Sequence, residues 1–196
     1  MADIPMRPRP NPLRAVPGYF ASEQGLQVGT SVSPDASDDD LKFLQQLDVQ
    51  WAMLIVNNPE HHTAAHYRQY RERLESYGIQ IYRVANHGVH NVPEITLNLP
   101  GRDEKIEEFI QFIRNLSAAG IYYNTYAHMG NGIWSTGHTD GRGGVNARVL
   151  DIKNAEGNWI GEIFTGEHTH GRAYSEDELW DNYEYMIRKI APVAEN

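Results

Sequence analysis

Cysteine is absent from the 196 residues. Without thiols the chain forms no disulfide, binds no metal through sulfur and offers no cysteine nucleophile. Long apolar runs are missing too. None nears the ~18 residues that a bilayer crossing needs, so no membrane role is expected. Positive charge is scarce: 17 Lys and Arg stand against 26 Asp and Glu, a formal net charge of -9. An acidic chain is repelled by a phosphate backbone, which argues against nucleic acid as a partner. Residues 1–18 hold five prolines and three arginines but no apolar stretch of the kind a secretory signal requires. Residues 1–25 therefore read as an extended N-terminal arm, and the expected compartment is the cytoplasm.

What is present is a rhythm. From Leu26 onward, short β-like runs alternate with amphipathic helical stretches. The runs are Leu26-Gln-Val-Gly-Thr-Ser-Val32, Trp51-Ala-Met-Leu-Ile-Val56, Ile79-Gln-Ile-Tyr-Arg-Val84 and Ile121-Tyr-Tyr-Asn-Thr-Tyr-Ala127. Ser37 with Asp40, and Ser175 with Glu178, have capping-box spacing and mark helix starts. Gly78 and Gly120 are expected helix stops. Helical stripes follow at Leu41, Leu44 and Leu47, at Tyr67, Tyr70, Leu74 and Tyr77, at Ile106, Phe109, Ile110, Ile113 and Leu116, and at Leu179, Tyr183, Met186, Ile187 and Ile190.

This alternation implies parallel strands joined by helical crossovers. A doubly wound sheet and part of a (β/α)₈ barrel both have that order. Strands of a doubly wound sheet are apolar on both faces. Here Gln27, Gly29 and Ser31 alternate with Leu26, Val28 and Val32, and Gln80 with Ile79 and Ile81. One apolar and one mixed face favours an α/β fold of the TIM-barrel type. About four βα units are present, a half barrel spanning 26–196. Val28, Met53, Ile55 and Ile81 are expected among the side chains turned toward the barrel interior. Residues 128–174 form a long loop between the fourth strand and fourth helix. Within it, 145–152 and 158–164 read as a hairpin joined by Asn-Ala-Glu-Gly.

Barrel ligands sit where the strands end. Those positions are polar here. Ser31 and Ser33 follow the first run, and Asn57, Asn58, His61 and His62 the second. Asn86, His87 and His90 follow the third, and Asn124 and His128 lie on or after the fourth. A ring of amides, hydroxyls and imidazoles suits a polyhydroxylated or carboxylated small molecule, because each buried ligand oxygen needs a partner. His62 and His66, four apart, share a helix face without the Glu of a His-Glu-x-x-His motif, and read as structural. His168 and His170 alternate in a polar stretch before the last helix. Arg142, in Gly141-Arg-Gly-Gly144, could grip a carboxylate with its planar fork. No catalytic residue and no metal ligand is assigned. The substrate-binding candidates are Asn57, Asn86, His87, Asn124, His128, Arg142, His170 and Arg172.

Several segments resemble the mannonate dehydratase family. They are Leu99-Pro-Gly-Arg-Asp-Glu-Lys-Ile-Glu107, Leu116-Ser-Ala-Ala-Gly-Ile121 and Tyr123-Asn124, then Gly141-Arg-Gly-Gly144 and His170-Gly-Arg-Ala-Tyr-Ser-Glu176. Glu178-Leu-Trp-Asp-Asn-Tyr-Glu-Tyr-Met186 and Ala191-Pro-Val-Ala-Glu195 complete the set. The resemblance implies a xylose-isomerase-like barrel that dehydrates D-mannonate, or a related sugar acid, to a 2-keto-3-deoxy acid in hexuronate (glucuronate) catabolism. It also implies Mn²⁺ or Mg²⁺ and abstraction of the proton α to the carboxylate. In the family the metal ligands and acid–base groups come from a fifth strand, ending in His-Pro-Asp-Asp-Pro-Pro, and from later ones. They are expected to lie beyond Asn196. What the family carries onto this chain is Asn124, the Arg142 loop and the His170–Arg172 segment, as substrate or lid contacts. Two other readings stay open: a non-catalytic half-barrel that binds a sugar acid or assembles, and a sugar isomerase or epimerase of the same superfamily. A homo-oligomer or a completing half-barrel partner is expected in each.

Overall fold

The computed structural model describes residues 27–129, 133–159, 162–164 and 170–195. The arm expected over 1–25, and His168, lie outside them.

Three strands pair in parallel and in chain order: β1 (Gly29–Val32), β2 (Trp51–Ile55) and β3 (Gln80–Ala85). The fourth run, expected over 121–127, contributes a single parallel bridge between Val84 and Asn124. Its two bonds run from Val84 N to the Tyr123 carbonyl at 3.2 Å and from Thr125 N to the Val84 carbonyl at 3.3 Å. Each new strand is thus added to the same edge, whereas a doubly wound sheet reverses direction part-way. This sequential order is that of a (β/α)₈ barrel, of which a part is seen.

The helices form where their end signals lie. Ser37 and Ser175 both complete capping boxes, opening α1 (Asp38–Gln46) and a long C-terminal helix over Glu176–Ala194. Between them lie α2 (Ala64–Glu75), a short α3 (Pro93–Thr96) and α4 (Arg102–Ala118). The C-terminal helix is α5. Their apolar stripes meet one side of the sheet. Leu41, Tyr67, Leu74, Ile106, Phe109, Leu116, Met186 and Ile190 join Val32, Ala52, Leu54, Ile81 and Val84 in one core. Asn182 on α5 donates to the Thr96 carbonyl at 3.0 Å and so locks α5 to α3.

Gly120 has φ +76°, a left-handed conformation that a Cβ disfavours, and a Cβ there would collide with the Arg71 guanidinium. That guanidinium donates to the Ala119 carbonyl at 2.6 Å. Gly120→Ala is expected to cost about 1–2 kcal/mol, read as a lower urea midpoint.

Among the described residues, no helix lies on the opposite side of the sheet. It carries Trp51, Met53 and Ile55 from β2, all half-buried. Two residues expected inside the barrel are not there. Ile81 pairs with Ala52 and is buried in the helix-side core, and Val28, just before β1, is exposed. Ile81 shares the buried side of Ile79 by plain alternation, and a bulge follows it. Ala52 faces Ile81, but Met53 faces Arg83, so Tyr82 is an extra residue. Tyr82 and Arg83 consequently both lie on the inner side, and Val84 returns to the helix side.

The long loop folds differently from the expected hairpin. Segment 145–152 contains β6 (Asn146–Val149), which pairs antiparallel with β5 (Gly137–Asp140). Segment 158–164 overlaps β7 (Glu156–Trp159) and contains β8 (Glu162–Phe164), which pair with each other, and β7 also pairs with β4 (Ile133–Ser135). The Asn-Ala-Glu-Gly stretch joins two separate small sheets, because Thr136 ties the first hairpin back to Val149 through its N–H at 2.8 Å and its hydroxyl at 3.0 Å.

Candidate functional site

The segments following β2, β3 and the fourth-strand bridge cluster at one end of the sheet. After β2, Asn57 is exposed and Asn58 caps a short turn by accepting from Glu60 N at 3.1 Å. His61 and His62 are already engaged. His61 Nδ1 lies 2.6 Å from the Tyr70 hydroxyl, and His62 Nδ1 lies 2.5 Å from that of Tyr67. His66 stacks on His61 at 4.6 Å and bonds Thr63. His62 and His66, the pair four apart, thus each have Nδ1 engaged by a side-chain hydroxyl. Burial, with a smaller push from His61, lowers the His62 pKa, so this imidazole is neutral near pH 7.

After β3, Asn86 is buried and its Oδ1 accepts from Gly88 N at 2.8 Å, turning the chain. His87 is exposed and stacks flat on His90 at 4.9 Å. Asn91 Oδ1 accepts from Met129 N at 2.6 Å and ties this loop to the segment after the bridge. The bridge puts Asn124 on the helix side with Val84, and Tyr123 and Thr125 on the inner side.

His128 sits beside the first turn of α5. With Glu176, Leu179, Trp180 and Tyr183 it lines a hollow of about 310 Å³, of a size to take a small ligand. Its ring meets Tyr183 edge-on at 5.2 Å, and the Tyr183 hydroxyl lies 2.9 Å from that of Tyr126. His90 Nδ1 and His128 Nε2 are buried without a hydrogen-bond partner. Burial lowers both pKa values, helped at His90 by His87 and opposed at His128 by the Leu179 backbone. Neutral imidazoles of this kind suit sugar hydroxyls better than carboxylates.

The remaining candidates lie on the long loop. Arg142 is exposed in the turn joining β5 to β6. His170 is half-buried before α5. The Arg172 fork is occupied: it holds both Glu178 oxygens at 2.9 and 3.2 Å and lies over the Tyr174 ring at 3.7 Å.

A model of the family described as D-mannonate dehydratase (UxuA) matches residues 46–158. The chain belongs to the mannonate dehydratase family. It is 30% identical over 145 residues to the mannonate dehydratase of Streptococcus uberis, a match covering 65% of this chain and 41% of the relative. It is also 30% identical to the Streptococcus pneumoniae mannonate dehydratase, over 64% of this chain and 38% of that one. The chain thus spans about two-fifths of the length of the curated relatives it matches. Among solved structures, a D-psicose 3-epimerase aligns with a TM-score of 0.49 and 10% identity, covering 87% of this chain and 49% of that one.

In this mannonate dehydratase family member, the described residues do not fit the divalent ion that the family resemblance implies. Among them no group of three or more His, Asp or Glu side chains is placed to hold a metal. His61 and His62 each commit a ring nitrogen to a tyrosine instead. Also among the described residues, no helix is long and apolar enough to cross a membrane.

The Arg172–Glu178 pair has a pH signature. Arg172 first, then the Ser175 N–H, pull the Glu178 pKa from 4.5 to about 2. A carboxylate depressed by folding supports the helix start above its unfolded pKa and loses that support as pH falls toward the folded one. The α5 N-terminus should therefore loosen between about pH 4.5 and 2, seen as faster amide exchange at 176–179. Glu178→Gln should remove that pH dependence while leaving the Ser175 cap in place.

Proposed function

We propose that this chain supplies the first four βα units of a barrel that dehydrates D-mannonate or a related sugar acid to its 2-keto-3-deoxy acid. The family match over 46–158 carries this reading. The strand ends support it: His90 and His128 each keep a buried ring nitrogen without a hydrogen-bond partner, and His128 lines a hollow with Trp180 and Tyr183. An indole edge and imidazole nitrogens are suited to a hydroxylated carbon chain. Asn57, Asn86, His87, Asn124, Arg142, His170 and Arg172 are proposed as further contacts of substrate or lid. Mn²⁺ or Mg²⁺ is proposed as the ion of the complete enzyme, held by residues other than those described. The setting we assign is hexuronate (glucuronate) catabolism in the cytoplasm, with a second copy or a completing half-barrel as partner.

The roles left to these residues are binding and orientation. They hold substrate hydroxyls, and the proton moved from the carbon α to the carboxylate is taken by a base outside this set. Incubating the purified chain with D-mannonate and Mn²⁺ is expected to give no 2-keto-3-deoxy acid. The same assay with a complementing half-barrel present is expected to give it. Product from the chain alone would overturn the division of roles, and none with any complement would overturn the activity. A second reading, sugar-acid binding without turnover, is favoured by one observation: His61 and His62 are tied into the helix layer by Tyr70 and Tyr67.

A further inference from the structure

Arg83 is the inner-face residue that strand alternation alone would misplace. Counting from Ile81 in the helix-side core, strict period two puts Tyr82 inward, Arg83 outward and Val84 inward. Arg83 would then be a charge driven into the core occupied by Leu54 and Ile106. The bulge at Tyr82 reverses this. Val84 goes to the core, fully buried, and Arg83 stands opposite Met53 on the inner side. Bulges recur beside active sites because they re-aim a side chain in this way.

Turned inward, Arg83 is half-buried and has no anion. Its Nε is buried with no hydrogen-bond partner, and among the described residues no carboxylate pairs with it. The guanidinium lies 5.5 Å from the Tyr82 ring centre, a weak hold at most. Its immediate inner-face neighbours by register are apolar: Met53 across β2, Ile55 and Ala85 one pair further toward the strand ends. Across the bridge, Tyr123 and Thr125 flank it. Three arginines of the helix layer differ in having oxygen partners, although Arg71 Nε also lacks a hydrogen bond. Arg71 and Arg73 bond backbone carbonyls and carboxylates, and Arg68 bonds the Ala118 carbonyl. In a chain of net charge -9, a half-buried guanidinium beside apolar walls, with no carboxylate on it among the described residues, is a site prepared for a carboxylate.

We infer that Arg83 takes the carboxylate of the sugar-acid ligand through its planar fork, on the inner face of the sheet near the ends of β2 and β3. This rests on the proposed sugar-acid reading for the ligand's identity. It assigns to β3 a contact that the polar strand-end loops, with neutral imidazoles, do not provide. Lysine can supply charge at that point but not two parallel hydrogen bonds.

The test compares binding of D-mannonate with binding of D-mannitol, which lacks the carboxylate, to the full chain and to Arg83→Gln and Arg83→Lys. Calorimetry gives affinities, and ¹⁵N-arginine spectra follow the Nε–H of Arg83. The wild-type chain should prefer the acid by at least tenfold and shift the Arg83 signal on its addition. Arg83→Gln should lose the preference, and Arg83→Lys should keep part of it. Equal preference in wild type and Arg83→Gln, or no binding of the acid at all, overturns the assignment. Gluconate, acetate and inorganic phosphate separate the two proposals. If a non-sugar carboxylate or phosphate binds through Arg83 as tightly as mannonate does, the anion site stands and the sugar-acid function falls. If mannonate is turned over in the complemented assay with unchanged KM in Arg83→Gln, the function stands and this site falls.

Discussion

Tyr67→Ala is expected to cost about 3–5 kcal/mol of folding stability, enough to unfold a marginal domain. Tyr67 is fully buried on α2, with Phe112 of α4 at 6.0 Å and His62 at 6.1 Å between ring centres. It therefore joins two helices to the loop after β2. Truncation removes a large ring from the centre of the helix layer and also strands the His62 Nδ1 that its hydroxyl meets. Tyr67→Phe separates the two effects. It keeps the ring and removes only the hydroxyl, so about 1–2 kcal/mol is expected, the penalty for one unsatisfied polar group. Urea denaturation of the three proteins measures both. Equal losses for Phe and Ala would mean that the hydroxyl, not the packing, holds this loop.

The second large effect is intermolecular. The inner face presents Trp51, Met53, Ile55 and Tyr82, each about half-buried, beside a hollow of about 340 Å³ lined by Gln27, Gly29, Trp51 and Tyr82. Full burial of such side chains is worth about 1.5–3 kcal/mol each, so completing it leaves on the order of 1 kcal/mol apiece. Four of them make roughly 4 kcal/mol, about three decades in an association constant. Among the described residues, β1 and the 121–127 segment also present strand edges that can accept a neighbour. The purified chain is therefore expected to self-associate or to require a partner. Met53→Glu with Ile55→Glu should push it toward monomer, since these side chains stand clear of the helix-side core. Sedimentation velocity measures the shift. A monodisperse wild-type monomer that unfolds cooperatively would refute the expectation.

Much of this architecture was legible in the residues. Helix ends are local chemistry: a serine with an acid three residues on, or a glycine at positive φ, sets the boundary whatever surrounds it. Ser37, Ser175, Gly78 and Gly120 all act in that way. The helix stripes are legible for a related reason, because a 3.6-residue period has one buried face. The candidate site was legible only as a set of polar strand ends. Which imidazoles are engaged could not be read, since Tyr67 and Tyr70 reach back to His62 and His61 from the next helix.

From the residues alone follow three strand–helix units, their parallel sense, the net negative charge and the family, with the fourth run seen as a single bridge. Tertiary structure alone decided three matters. Pairing partners in the long loop depended on Thr136 closing on Val149, a contact across 13 residues. The arginine clamp on Glu178 showed that the Arg172 fork was already filled. Most consequential is the bulge at Tyr82, which arises from the register of β3 against β2 and turns Arg83 to the interior and Val84 to the core. A period-two reading assumes an unbroken ladder. One extra residue on one strand changes the side of every residue after it, and only the pairing of two strands reveals where that residue lies.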